Sequence, residues 1–190
     1  MIAAFYLLAT YLWGAVPFGL IVGFLGAGVD VRTAGSCNTG ASNVSRVAGA
    51  KLGVVTAVLD VSKGLLPVVL AGSVQAGGVF AGMVAIAAFA GHCWPIFLEF
   101  RGGRGVATGA GAMLALAPVS TLVAVVVWLG LRFTTHKASL ASLAAALVLL
   151  LAVAVAGTGH LWVAFVLVLG TVYRHMDNIR RLLDGTERQA

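Results

Sequence analysis

The chain comprises 190 residues, of which 61% are hydrophobic and 9% charged, with a net charge of +6. That balance lies far outside the range of soluble globular domains and predicts an all-α integral membrane protein, with residues 1–190 forming a single membrane-embedded domain. It also argues against a nucleic-acid binder, because no basic run is interleaved with aromatic residues and the positive excess suits loops beside anionic lipid.

In chain order, the first apolar run, 1–25, has no basic residue ahead of it, so it lacks the charged leader of a cleavable signal and is expected to be a retained span. Spans are predicted near 3–25, 52–71, 78–97, 106–117, 119–133, 139–156 and 160–174. Eleven of the twelve Lys and Arg residues lie in or at the edge of the gaps 26–51, 98–105, 132–138 and 175–190. The alternate gaps, at 72–77, around Pro118 and at 157–159, carry no charge. This alternation is the positive-inside pattern of a polytopic protein. Reading 106–131 as one helix kinked at Pro118 would divide the basic residues five to six across the membrane, whereas a break at Pro118 keeps all eleven on one side. The expectation is a bundle of seven transmembrane helices, N-terminus outside and C-terminus cytoplasmic, whose two short pieces around Pro118 need a thinned bilayer or burial by neighbours. Gly19 with Gly23, Gly78 with Gly82 and Gly105 with Gly109 stand at helix-packing spacing. Cys37 and Cys93 both fall on the cytoplasmic side, where disulfides are disfavoured, and are expected to be free thiols.

Three polar constellations share that side. The first is the loop Gly35-Ser36-Cys37-Asn38-Thr39-Gly40-Ala41-Ser42-Asn43 with Arg46 behind it, a run able to aim N–H groups and hydroxyls at an anion. Ser42 or Asn43 is expected to cap a helix beginning near Val44; an ordinary polar turn with an N-cap is the competing reading. The second runs from Gly91-His92-Cys93-Trp94-Pro95 to Gly102-Gly103-Arg104-Gly105, where a glycine turn presents a guanidinium suited to bidentate phosphate binding, or simply forms a solvated basic loop. His92 falls inside a span, where a polar side chain is costly and marks either a functional or a helix-packing group. The third is Tyr173-Arg174-His175-Met176-Asp177-Asn178-Ile179-Arg180-Arg181, whose cations suit the interface and whose Asn178 can orient a hydroxyl or phosphate without adding charge. Within the second span, Asp60 and Lys63 at i, i+3 are expected to pair in a structural role, and His136 and His160 are read as interfacial.

At these constellations the chain resembles the bacterial acyl-phosphate:glycerol-3-phosphate acyltransferase family over essentially its whole length. The resemblance rests on five ordered stretches: Gly-Ala-Val-Pro-Phe-Gly at 14–19, Gly-Ser-Cys-Asn-Thr-Gly-Ala-Ser-Asn at 35–43, Gly-His-Cys-Trp-Pro-Ile-Phe at 91–97, Gly-Gly-Arg-Gly-Val-Ala-Thr at 102–108 and His-Met-Asp-Asn-Ile-Arg-Arg-Leu-Leu at 175–183. The chain departs from that pattern at Cys37, usually Gly, at Arg104, usually Lys, and at Met176, usually Arg. A non-glycine residue at position 37 loses backbone freedom if the loop needs positive φ there.

The resemblance implies transfer of a fatty acyl group from acyl phosphate to the 1-hydroxyl of glycerol 3-phosphate, giving lysophosphatidic acid and phosphate at the cytoplasmic face of a bacterial cell membrane. Catalytic roles are expected for Ser36, His92 and Asn178, and substrate or phosphate contacts for Asn38, Thr39, Gly40, Asn43, Arg46, Gly102, Gly103, Arg104, Ser139 and His175. His92 is either a general base on the attacking hydroxyl or a positioning donor while the substrate's own phosphate takes the proton. Acyl phosphate, glycerol 3-phosphate and membrane lipid are the expected partners, with no cofactor, metal, nucleic acid or obligate protein partner. Two other readings stand beside this one: a transporter of a phosphorylated metabolite, and an acyltransferase for a different polyol phosphate.

Overall fold

The structure, a computed structural model, describes residues 1–188, and its regular elements among them are all helices. Its α-helices are α1 Ile2–Ala15, α2 Phe18–Ala27, α3 Ala41–Ala48, α4 Ala50–Val74, α5 Gly78–Cys93, α6 Val106–Leu116, α7 Pro118–Thr135, α8 Ala138–Ala156, α9 Leu161–Arg174 and α10 Met176–Leu183, with a 3-10 turn at Ile96–Leu98. The expected break at Pro118 is present: α6 ends at Leu116 and the proline opens α7 at a position where its missing N–H costs nothing. The predicted first span is divided, because Pro17 cannot donate to the helix ladder and disfavours helical backbone at Val16, so α1 ends at Ala15 and α2 resumes at Phe18.

Five segments are long and apolar enough to cross a bilayer: Ile2–Ala27, Ala50–Val74, Gly78–Leu98, Pro118–Thr135 and Ala138–Ala156. The other two predicted spans form the shorter apolar helices α6, of 11 residues, and α9, of 14. At 1.5 Å per residue these reach roughly 16 and 21 Å, short of a hydrocarbon core about 30 Å thick. The short α3 and α10 are amphipathic and lie among the polar constellations.

The bundle centres on α4, α5 and α6, with α1 against α5, α7 against α8 and α3 laid on α4. Side chains that fill the interior include Phe80, Val84, Phe89, Met113, Val163 and Leu167. Two seams are built from glycines facing carbonyls. A Cβ on Gly64 would strike the Thr108 carbonyl of α6, and one on Gly111 would strike the Val61 carbonyl of α4; Gly14 and Gly91 do the same between α1 and α5. The spaced pairs in the sequence serve differently: Gly19 and Gly23 pack against the 29–39 loop, Gly82 against Trp162 and Val163, and Gly105 takes a left-handed turn before α6. Along the α4–α6 seam Thr108 Oγ1 donates to the Asp60 carbonyl at 2.9 Å.

Close approach makes Gly64→Val an overpacking change that should cost about 1–3 kcal/mol, while Gly72→Ala, with nothing within 4 Å of the added methyl, should leave stability unchanged or slightly raised. Thermal unfolding of both variants in one detergent checks the contrast. Cys37 adopts φ 56°, the left-handed backbone that penalises a side chain. Cys37→Gly should therefore raise stability by roughly 0.5–1 kcal/mol in the same assay, after the greater freedom of the unfolded glycine is set against the relieved strain.

Candidate active site

A cavity of about 310 Å³ opens where the three polar constellations meet and continues between apolar walls. Its wet end is lined by Ser36, Asn38, Arg46, Arg104, Asn178 and Arg181, and its dry end by Ala107, Ala124, Trp128, Ala145, Leu149 and Leu167. The dry walls come from α6, α7, α8 and α9, the short helices included. Trp128 Nε1 donates to Ser142 Oγ at 3.1 Å, tying α7 to α8 beside this wall.

Asn43 organises the first loop. Its Oδ1 accepts from the Ser36 N–H at 2.7 Å and from Arg46 Nη1 at 3.3 Å. Its Nδ2 faces the carbonyls of Val31, Ala34 and Asn38 at 2.8, 3.1 and 3.0 Å. The expected capping geometry is corrected accordingly: the helix starts at Ala41 with Gly40 in the N-cap position, no side chain caps it, and Asn43 is a buried brace. Asn38 Oδ1 accepts the Gly40 N–H at 2.8 Å, closing the turn into α3. Burial, with Arg188 and Arg132 nearby, lowers the Arg46 pKa from its ordinary value.

The glycine turn is held from both sides. The Gly103 N–H donates to the His92 carbonyl at 3.0 Å and the Gly102 N–H to the Cys93 carbonyl at 3.3 Å. Arg174 donates Nη2 to the Gly102 carbonyl at 2.8 Å and Nε to the Gly103 carbonyl at 3.0 Å, with its guanidinium over Trp94. The N–H groups of Gly102 and Gly103, two residues expected among the phosphate contacts, are thus committed to protein carbonyls, and the turn carries Arg104. Burial foremost, with Arg181, Arg174 and Arg46 also nearby, pulls the Arg104 guanidinium down to about 10, leaving it cationic near neutrality. His175 Nδ1 lies 2.8 Å from the Thr171 carbonyl; a carbonyl only accepts, so Nδ1 carries the proton. Burial and the Arg104 charge push His175 down to about 4, so it is neutral at pH 7.

The C-terminal segment closes the wet end. Glu187 Oε1 accepts from Ser139 Oγ at 2.8 Å and from Asn178 Nδ2 at 2.6 Å, and its Oε2 from Arg181 Nε at 2.9 Å. Burial opposes its charge, but these three hydrogen bonds more than offset it and hold the carboxyl below its usual range. Arg188 Nη1 donates to the Gly35 carbonyl at 3.0 Å, joining the tail to the first loop.

Of the expected site residues, Ser36, Asn38, Gly40, Asn43, Arg46, His92, Arg104, Ser139, His175 and Asn178 line the cavity. Thr39 is buried with its carbonyl against Gly19, away from the lining, and Gly102 and Gly103 stand behind it. Ser139 and Asn178, expected to orient hydroxyls, hold Glu187. Sequence reasoning missed Glu187, Arg181 and Asp60 as cavity residues. The only signal for Asp60 was its charge inside a span; for Glu187 there was none, since its partners are 6, 9 and 48 residues away, at no spacing that one helix face would reveal. Cys37 and Cys93 are free thiols, as expected, and the Asp60–Lys63 pair is formed. Among the described residues no three His, Cys, Asp or Glu side chains gather at metal-binding range.

The chain is similar to known proteins over nearly its whole length. The glycerol-3-phosphate acyltransferase of Solidesulfovibrio magneticus is 46% identical over 189 residues, covering 99% of this chain and 95% of the relative. That of Rubrobacter xylanophilus is 42% identical, covering 100% and 96%. A crystal structure of PlsY (YgiH), an integral membrane glycerol 3-phosphate acyltransferase in its glycerol 3-phosphate form, superposes with a TM-score of 0.93 at 38% identity, covering 99% of this chain and 95% of that one. A lysophosphatidic acid form of PlsY superposes with a TM-score of 0.91 at 37% identity. The family model described as glycerol-3-phosphate acyltransferase matches residues 4–185. With the match extending over nearly the whole chain, this all-helical integral membrane protein belongs to the glycerol-3-phosphate acyltransferase family.

Proposed function

We propose that the chain transfers a fatty acyl group from acyl phosphate to the 1-hydroxyl of glycerol 3-phosphate, releasing phosphate and lysophosphatidic acid. The observation that carries this reading is the single cavity whose one end is cationic and whose other end is apolar. An acyl chain has favourable surroundings only among the α6 to α9 walls, and a dianionic head only beside the guanidiniums of Arg46, Arg104, Arg181 and Arg188. A substrate pair sharing those two chemistries meets at the junction between them.

An acyl phosphate is already activated, so the protein needs to align a hydroxyl with the carbonyl carbon and to stabilise the charge that develops there. Arg46 and Arg104 are assigned to the phosphates, Ser36 and Asn38 to the acceptor hydroxyls, and Glu187 to holding Ser139, Asn178 and Arg181 as one wall of the acceptor site. The seven apolar segments cross the membrane with the N-terminus outside, which sets the basic loops and the wet end of the cavity at the cytoplasmic face; the charge alternation supports this orientation.

Purified protein in detergent, given palmitoyl phosphate, should release phosphate only when glycerol 3-phosphate is present and form lysophosphatidic acid in equal amount. Arg104→Ala should raise the KM for a phosphate-bearing substrate at least tenfold, about 1.4 kcal/mol of lost charge-assisted hydrogen bonding. Unchanged KM for both substrates would remove Arg104 from the phosphate site. Glu187→Ala should cost about 1.5–3 kcal/mol of stability and raise the glycerol 3-phosphate KM as the wall it assembles loosens. An Glu187→Ala variant with parental melting temperature and kinetics would show that the wall stands without it.

A further inference from the structure

The turn that carries Arg104 lies across two rings on one face of α5. A Cβ on Gly103 would strike the His92 imidazole at Nε2, and one on Gly105 would strike the Phe89 ring. Phe89 and His92, at i and i+3, share that face. The packed core holds Phe89, whereas a buried polar ring needs a polar neighbour to fix its orientation. His92, 7% exposed, has Asp60 of α4, whose Oδ1 lies 3.5 Å from its Nδ1. Asp60, 2% exposed, is paired in turn with Lys63, Nζ to Oδ1 at 2.9 Å, and Lys63 Nζ stands 5.0 Å from the centre of the Phe18 ring.

The same residue reaches the far end of the turn. Near the start of α6, Thr108 Oγ1 donates to the Asp60 carbonyl at 2.9 Å. Asp60 thus meets α5 before the turn with its side chain and α6 after the turn with its backbone, and Arg104 projects from between them. An ion pair taken out of water adds little net stability. What Asp60 supplies is attraction for one edge of a ring whose other edge bears on Gly103. A carboxylate only accepts, so the nitrogen facing it, Nδ1, carries a proton.

We propose that Asp60 is a positioning residue: by holding the His92 ring it sets the depth of the glycine turn against α5, and so the reach of the Arg104 guanidinium into the wet end of the cavity. The proposal rests on the reading above in which Arg104 meets a substrate phosphate. His92 serves as a spacer between α4 and the turn, and no proton passes through it. Without the carboxylate the ring is free to rotate, and Gly103 settles against it at a different depth. A misplaced guanidinium loses charge-assisted hydrogen bonds to phosphate, while the alignment of hydroxyl and acyl carbon is left to other groups. The effect therefore falls on KM and spares kcat.

The test replaces Asp60 in the full chain, each time with Lys63→Met so that no buried charge is left unpaired. Asp60→Leu takes the acceptor away from Nδ1, and Asp60→Asn returns one oxygen to it. With Asp60→Leu, KM should rise at least about threefold for the same substrate that Arg104→Ala weakens, kcat should stay within about twofold, and adding Arg104→Ala should raise KM no further than Arg104→Ala alone. Asp60→Asn should bring KM back to within about twofold of the parental value. A kcat loss at unchanged KM, KM rises that multiply in the combined variant, or an Asn variant as impaired as the Leu variant would overturn the proposal. If neither Asp60 variant folds, nitrogen NMR of histidine-labelled parental protein, with His92 assigned by difference from His92→Gln, decides: a proton on Nδ1 supports the tie to Asp60, and a bare Nδ1 sinks it. Parental protein that forms no lysophosphatidic acid would end the acyl-transfer reading, while the nitrogen spectrum would still report separately on Asp60.

Discussion

Hydrocarbon offers no water to a buried carbonyl or charge, so each polar group in this bundle needs a partner within the protein. That constraint explains why irregular backbone gathers at one end. The loop before α3 is braced from within by Asn43, the glycine turn before α6 is held by Arg174 of α9, and the tail after α10 binds α8 and α10 through Glu187 and the first loop through Arg188. Together they border the wet end of the cavity.

The same constraint shapes the helix seams. Where glycines meet carbonyls between α4 and α6, the helices come close enough for Thr108 to reach the Asp60 carbonyl, and the second glycine seam brings α5 against α1. Asp60 and His92 are thereby set at a fixed separation deep in the bundle. The first half of the short α6 and the second half of the short α9 line the cavity, which continues into apolar surroundings. Rigid seams on one side and short helices on the other give one space with two chemistries, as acyl transfer between a lipid-like donor and a charged, water-soluble acceptor requires.

Departures from the family pattern acquire physical meaning in this frame. Cys37 occupies left-handed backbone next to Ser36, so the loop tolerates a strained residue because Asn43 pins it from several directions. Arg104 projects from a turn whose glycine carbonyls are held by Arg174. Its planar guanidinium can engage phosphate bidentately, which the ammonium of a lysine cannot. For Met176, exposed at the start of α10, the structure offers no account.

What could be read from the residues alone was whatever depends on local composition. The membrane class follows from hydropathy, the helix break from Pro118, and the placement of Ser36, Arg46, His92, Arg104, His175 and Asn178 at one site from charge alternation together with the family motifs. The glycine usual in the family at position 37 raised the condition of a left-handed backbone there, and the structure supplied the φ of 56°. Tertiary structure decided what depends on distant partners. Asn43 turned from cap to brace, and the Gly102 and Gly103 N–H groups proved to bond the chain before them. Glu187 entered the site across 48 residues, and Asp60 moved from a structural pair to the neighbour of His92. Periodicity and spacing report which face a residue shares within its own helix; which carbonyl or imidazole waits on the next helix is set by packing, and only the assembled bundle shows it.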